Sequence, residues 1–166
     1  MPLLFYKVAL EDKQNRFVFD VMRYGLSEAR EKRGGAMTFV LIIEDQPLHA
    51  KLFSEVIRAV GLSSVTALTG NDGLAIANAT KPDLIIVDIR LPDRPGYEII
   101  SALRASPENI LVPIIAITAA TEYEFKTRSA DAGADIFLEK PVRVSHFSEV
   151  VLRLLLQASC QKRPHV

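Results

Sequence analysis

The sequence predicts a doubly wound α/β fold, in which helices cover both sides of a five-stranded parallel sheet. Between residues 38 and 157, short apolar runs alternate with helical patterns. The runs are rich in β-branched residues and apolar on both faces, which is typical of strands buried in a parallel sheet. Helical connections between such strands require right-handed crossovers. For five strands the common order is 2-1-3-4-5.

The first strand–helix pair follows from an apolar run and a helical spacing. Residues 39–43 are predicted as a strand, and residues 47–60 as a helix that begins with a proline, which a first helical turn tolerates. Leu48, Leu52 and Val56 are spaced for one apolar face, with Ala59 or Val60 one turn further on. The next residue is a glycine, which ends the helix.

The second and third strands are predicted at residues 65–68 and 84–87. Asn71 or Asp72 can cap the helix between them, which runs to residue 80. The third strand lies between two prolines and ends at Asp88. An unpaired charge is too costly to bury as core filler. At the carboxyl end of a parallel strand, however, Asp88 would lie in the crevice where open α/β sheets bind ligands.

The remaining elements follow the same alternation. Most of them begin or end near a proline or a glycine, because these residues interrupt regular structure. The predicted elements are a third helix that follows Pro95-Gly96 and ends before Pro107, a fourth strand at 114–117, a fourth helix from Thr121 or Glu122 to 132, a fifth strand at 136–138 and a final helix at 145–157.

Three segments are expected along the chain. Residues 1–36 form an N-terminal extension, helical or disordered, whose mainly helical pattern ends at Gly34-Gly35. Residues 37–157 form the α/β domain, and Met37 is a possible alternative start. Residues 158–166 form a polar tail. The domain from Met37 has enough strands and helices to bury a core without the extension.

Composition limits the classes of function. Apolar residues make up 49% of the chain, and acidic and basic residues balance to a net charge of zero. This balance argues against bulk attraction to nucleic acid or to a membrane surface. The single Cys160 excludes an internal disulfide and suits a reducing compartment. Since no run is long enough for a membrane span or a secretory signal, we expect a cytoplasmic protein.

Polar residues end four of the predicted strands. Glu44 and Asp45 follow the first strand, Asp88 the third, Thr118 the fourth, and Lys140 the fifth. Because the carboxyl ends of parallel strands share one edge, these side chains should converge there. Three carboxylates raise one another's pKa unless a cation lies among them, and an all-oxygen set suits Mg²⁺. A lysine and a hydroxyl beside a nucleophilic carboxylate fit phosphoryl transfer to aspartate.

These landmarks resemble the receiver domain of response regulators, whose fold is flavodoxin-like, or CheY-like. The resemblance covers residues 38–157 and is most similar to stand-alone, single-domain regulators of the DivK type. It rests on four short motifs, which are Glu44-Asp45, Val87-Asp88 followed by Pro92 and Gly96 four and eight residues after Asp88, Ile117-Thr118-Ala119 and Glu139-Lys140-Pro141.

The resemblance implies a role for each landmark. Asp88 would accept a phosphoryl group from a sensor histidine kinase or a histidine phosphotransfer protein. Mg²⁺ would be bound by Asp88, by Asp45, by Glu44 through water and by the backbone carbonyl of Arg90. Thr118 and Lys140 would hold the phosphoryl oxygens. The protein would then be a signalling protein that promotes its own phosphorylation and dephosphorylation, rather than an enzyme proper.

The resemblance also implies a conformational switch. Thr118 and Phe137 would occupy the switch positions, and phosphorylation would reshape the face of the fourth helix, fifth strand and fifth helix, where a downstream protein would bind. A homodimer is a further expectation, with residues 1–36 as a candidate for the dimer contact. The Lys140–Pro141 peptide would be cis. Arg90, two residues after Asp88, is where side chains tune dephosphorylation.

One alternative is a phosphohydrolase with an aspartate nucleophile. That chemistry usually requires a second carboxylate two residues after the nucleophile as acid/base, and Arg90 occupies this place. His49, His146 and His165 are scattered without metal-ligand spacing, so we predict that they are solvated surface residues.

Overall fold

The structure, a computed structural model, describes residues 38–119 and 123–161. The predicted N-terminal extension, the predicted start of the fourth helix at residue 121 or 122, and the end of the tail lie outside these residues. The described elements are β1 (Phe39–Ile43), α1 (Pro47–Ala59), β2 (Ser63–Ala67), α2 (Gly70–Thr80), β3 (Leu84–Asp88), α3 (Gly96–Ala105), β4 (Ile114–Ala119), α4 (Tyr123–Asp131), β5 (Ile136–Lys140) and α5 (Val144–Gln161).

The five described strands form one parallel sheet in the order β2-β1-β3-β4-β5. The predicted fold class and strand order are therefore confirmed. The chain passes from β1 to β2 on one side, and then crosses to the other side of β1 for β3, β4 and β5. The direction in which strands are added to the sheet therefore reverses between β1 and β3. This reversal opens the crevice in which the carboxyl ends of β1 and β3 lie.

Both sides of the sheet are apolar, as the continuous runs predict. On one side a buried cluster joins alternate residues of β1, β3 and β4 to α2 and α3, including Leu41, Ile85, Ile99 and Ile114. α1 packs against β1 and β2, and none of its buried residues belongs to this cluster. The alternation of side chains along a strand thus supplies two apolar layers.

The apolar face predicted for α1 is wrong in part. The buried residues of α1 are Ala50, Phe53, Val56 and Ile57, whereas Leu48 is 81% exposed and Leu52 is 42% exposed. The helix has two overlapping apolar stripes at helical spacing. The stripe with Phe53 and Ile57 is buried against the sheet together with Val56, whereas Leu48 and Leu52 of the predicted stripe face outward.

The second strand and the cap of α2 also differ from the prediction. β2 begins at Ser63, two residues earlier than expected. The N-cap of α2 is Thr69, whose hydroxyl accepts a hydrogen bond from the backbone N–H of Asp72 at 3.1 Å. Neither Asn71 nor Asp72 is the cap, because both lie inside the helix. A threonine two residues upstream has the same capping chemistry and was overlooked.

A second carboxylate supports the N-terminus of α2 from the loop after β3. Asp93 accepts hydrogen bonds from the backbone N–H groups of Gly70, at 2.9 Å, and Asn71, at 2.8 Å. Desolvation acts to raise the pKa of Asp93, but hydrogen bonds from the backbone N–H groups of Gly70, Asn71, Asp93 and Arg94 together outweigh it and hold the pKa below its usual value of 3.8. Asp93 therefore links the loop that follows Asp88 to α2.

We expect Asp93→Ala to destabilise the fold at neutral pH by about 1 kcal/mol, the usual cost of losing a helix cap. The lowered pKa means that the ionised carboxylate stabilises the folded state above pH 3.8, and that this stability is lost as the pH falls through the folded-state pKa. Urea unfolding of the wild type and of Asp93→Ala at several pH values measures the difference.

The control is Asp131→Ala, which removes an exposed carboxylate in the last residue of α4. It should leave stability within a few tenths of a kcal/mol at every pH, as expected for an ordinary surface site. A deficit for Asp93→Ala that stays constant from neutral pH to below pH 3.8 would contradict the role of its charge.

Residues 38–141 form one compact unit, and α5 belongs to a second unit. α5 runs to Gln161, beyond the predicted end at residue 157, so the first part of the predicted polar tail is helical. None of the described helices has both the length and the hydropathy needed to span a membrane.

Candidate functional site

The strand register brings the predicted site residues to one edge of the sheet. Ile43 pairs with Val87, so Glu44 and Asp88 follow paired residues at the ends of neighbouring strands. Asp88 pairs in turn with Ile117, the residue before Thr118. The convergence predicted from four strand ends is therefore present in the structure.

Lys140 reaches across this edge to both acidic strands. Its ammonium donates hydrogen bonds to Glu44 Oε2, at 2.8 Å, and to Asp88 Oδ2. Glu44 is 1% exposed and Asp88 is 4% exposed. A buried carboxylate without a counter-charge is strongly disfavoured, so Lys140 compensates two charges that burial would otherwise destabilise.

Burial and the neighbouring charges shift two pKa values in the site. Burial raises the pKa of Glu44, and the charge of Asp88 raises it further, although Lys140 opposes both effects. Burial acts to lower the pKa of Lys140, but its hydrogen bonds to Asp88 and Glu44 outweigh burial, so that its pKa is raised. Lys140 is therefore held as a cation, and the carboxylates repel one another.

Two polar atoms in the site are buried without a hydrogen-bond partner among the described residues. They are Asp45 Oδ1 and Thr118 Oγ1. Buried polar atoms are normally paired, so each of these atoms is available to a ligand. Glu44, Asp45 and Asp88 offer oxygen atoms that lie within 4.8 Å of one another. This donor set fits a hard divalent cation such as Mg²⁺.

The other predicted site residues lie near Asp88 or on the same sheet. The backbone N–H of Arg90 donates to Asp88 Oδ1 at 2.8 Å, while the Arg90 side chain is exposed. Phe137 is half-buried in β5 and packs against the core cluster. The ammonium of Lys126 lies 5.6 Å from the centre of its ring. The Lys140–Pro141 peptide is cis, as predicted.

His49 is a site residue that the sequence reading missed. It was predicted to be a solvated surface residue, and its side chain is 39% exposed. Its Nδ1 nevertheless lies 3.3 Å from Lys140 Nζ and 3.6 Å from Glu44 Oε1. Its position in the first turn of the helix that follows Glu44-Asp45 was the available signal. His146 is exposed, as predicted, and His165 lies outside the described residues.

The fold and this edge of the sheet define a receiver domain of two-component signalling. The family described as "Response regulator receiver domain" matches residues 40–152. The chain therefore belongs to the response-regulator receiver family.

Individual relatives support the same classification. The chain is 34% identical over 112 residues to the polar-differentiation response regulator DivK of Brucella anthropi, covering 68% of this chain and 91% of that protein. Chemotaxis protein CheY4 of Vibrio cholerae has a similar structure, with 28% identity, a TM-score of 0.68 and coverage of 72% of this chain and 99% of that one.

A second similar structure contains a metal ion. It is the receiver domain of a sensor histidine kinase from Pseudomonas aeruginosa, with 27% identity and a TM-score of 0.68, covering 72% of this chain and 98% of that one. Its structure holds a magnesium ion coordinated in the active site cleft.

Proposed function

We propose that Asp88 accepts a phosphoryl group from a phosphohistidine of a sensor histidine kinase or of a histidine phosphotransfer protein. The main support is the environment of Asp88, a nearly buried carboxylate at the end of the central strand that is paired with Lys140 and lies beside Glu44 and Asp45. The chain would be a stand-alone response regulator in the cytoplasm, as its similarity to most of the length of DivK supports.

Mg²⁺ is the cofactor proposed for this reaction. Asp45 and Asp88 would bind it directly, Glu44 through water, and the Arg90 carbonyl would complete the protein ligands. Asp45 Oδ1, buried and without a hydrogen bond among the described residues, supports this assignment, as does the magnesium ion in the similar receiver domain. When bound, the cation neutralises the charge that builds up between the carboxylates and the phosphoryl oxygens.

The chemistry assigned to this chain's residues is a phosphoryl transfer. A carboxylate oxygen of Asp88 attacks phosphorus, the P–N bond to the donor imidazole breaks, and its electron pair returns to that ring. Lys140 and the Thr118 hydroxyl donate hydrogen bonds to the phosphoryl oxygens, which favours the charge distribution of the transition state. Hydrolysis of the acyl phosphate would reverse the signal, and the exposed side chain of Arg90, two residues after Asp88, is where the rate of this step would be tuned.

Signalling would follow from the movement of Thr118 and Phe137. A phosphoryl group would stabilise the conformation in which Thr118 donates a hydrogen bond to it. Because only one of the two conformations has this contact, phosphorylation would shift the population towards that conformation. Phe137 packs between the core cluster and Lys126 of α4. Its inward movement would change the surface of α4 and β5, where we propose that a downstream protein binds.

The test is phosphorylation by phosphoramidate, a small donor with a P–N bond, or by acetyl phosphate. We expect intact-mass spectrometry to detect one added phosphoryl group per chain, formed with Mg²⁺ and absent with a chelator. Absence of labelling by both donors at saturating Mg²⁺ would refute the proposal. Rapid consumption of many equivalents of donor would indicate a phosphohydrolase instead.

The substitution Asp45→Ala tests whether Asp45 is a ligand of Mg²⁺. Losing a charged ligand should weaken Mg²⁺ binding by at least about tenfold, since charge-assisted contacts to an ion are the stronger ones. Isothermal titration with Mg²⁺ measures this directly, without any phosphodonor. Asp131→Ala, far along the chain in α4, is the control and should bind Mg²⁺ like the wild type. Equal affinity of Asp45→Ala and the wild type would remove Asp45 from the ligand set.

A further inference from the structure

The ammonium group of Lys140 has three acceptors in this structure, one for each of its N–H bonds. Two are the carboxylates of Glu44 and Asp88, and the third is Nδ1 of His49, at 3.3 Å. A lysine ammonium has donors only. In this contact Nδ1 must therefore be the acceptor, which places the proton of the neutral ring on Nε2.

The three acceptors differ in what else they are required to do. In the proposed function, Glu44 and Asp88 hold the cation, and Asp88 also receives the phosphoryl group. His49 has neither task. It is the one acceptor of Lys140 that stays available when the two carboxylates are occupied.

His49 is also placed on a rigid element. It lies in the first turn of α1, which begins at Pro47, and the backbone N–H of Ala50 bonds to the carbonyl of Gln46 at 3.0 Å. Lys140, in contrast, has a flexible four-carbon side chain. A fixed acceptor on α1 restricts where that ammonium can go.

We propose that His49 is a positioning residue, which through Nδ1 holds the Lys140 ammonium where a phosphoryl group on Asp88 needs it. This inference rests on the proposed function of Asp88. It assigns His49 no contact with the phosphoryl group, since its effect is exerted through Lys140.

The test uses two variants of nearly equal shape, His49→Leu and His49→Asn. Leucine removes the acceptor, whereas the Asn side-chain oxygen can occupy the place of Nδ1. We expect His49→Leu to slow phosphorylation by acetyl phosphate and Mg²⁺ by about three- to tenfold, the effect of one ordinary hydrogen bond, because the contact at 3.3 Å is long for a charge-assisted one. His49→Asn should stay within about twofold of the wild type.

A double-mutant cycle then asks whether the effect passes through Lys140. Lys140→Met should be slow by itself, and adding His49→Leu to it should change the rate no further, because coupled residues are not additive. The ¹⁵Nζ resonance of Lys140 in the resting, metal-free chain gives a readout without phosphorylation. It should shift and broaden in His49→Leu and remain near the wild-type position in His49→Asn.

The outcomes separate the two proposals. If the wild type is labelled and His49→Leu is labelled equally fast, the inference about His49 is wrong and the role of Asp88 stands. Equal losses in His49→Leu and His49→Asn, or a full additional loss in the Lys140→Met background, would also overturn it. A wild-type chain that takes up no phosphoryl group would refute the proposed function, and this inference with it.

Discussion

Asp88→Asn should abolish phosphorylation of the chain. The amide has nearly the shape of the carboxylate, but it is neutral and a poor nucleophile, so no acyl phosphate can form at this position. Its oxygen can still accept a hydrogen bond from Lys140 in place of Asp88 Oδ2. The variant should therefore fold, although its amide nitrogen takes the place of Oδ1 and cannot accept the hydrogen bond from the Arg90 backbone N–H. Intact-mass spectrometry after incubation with acetyl phosphate and Mg²⁺ measures the result.

Asp131→Asn is the matched control, because it makes the same chemical change at an exposed position in α4. It should be labelled at the wild-type rate. Labelling of Asp88→Asn at the rate of this control would show that another residue accepts the phosphoryl group. If Asp88 is the acceptor, peptide mapping of the labelled wild type should find the phosphoryl group in the segment that contains Asp88.

Gly96→Ala should destabilise the fold and slow phosphorylation. A Cβ at this position would collide with the backbone carbonyl of Asp88 and lie 2.8 Å from Ile89 Cα. Backbone atoms cannot rotate away as a side chain can. The helix propensity of alanine would gain at most about 1 kcal/mol, because Gly96 is the first residue of the helix, whereas overpacking costs about 1–3 kcal/mol and sometimes more. With backbone as the obstacle, we expect a net loss of about 2 kcal/mol.

Urea unfolding of Gly96→Ala against Ser101→Ala, an exposed site in the same helix, separates the collision from helix propensity. Ser101→Ala should be neutral or slightly stabilising. The phosphorylation rate of Gly96→Ala should fall as well, because the added methyl group moves the strand end that bears Asp88. A Gly96→Ala chain as stable and as readily labelled as the wild type would contradict the close approach.

The local elements were largely predictable because their signals are local. The apolar run of β3 and the alternation of strands and helices predicted the sheet order, which the structure confirms. Errors arose where two nearby patterns compete. Leu48 and Phe53 belong to overlapping stripes of α1, and only contact with the sheet decides which is buried. Thr69 and Asp72 can both cap a helix, and hydrogen-bond geometry favours Thr69.

The order of residues along the chain was enough to predict that acidic, hydroxyl and lysine side chains share one edge of the sheet, because in a parallel sheet every strand ends on the same side. It could not determine which atoms meet there. The contacts of Lys140 with Glu44, Asp88 and His49 join residues separated by up to 96 positions. Such contacts depend on the packing of α1 against β1 and on the register of β5. The three-dimensional arrangement alone therefore decided that His49 belongs to the site, and that Gly96 has to be a glycine because a backbone carbonyl lies against it.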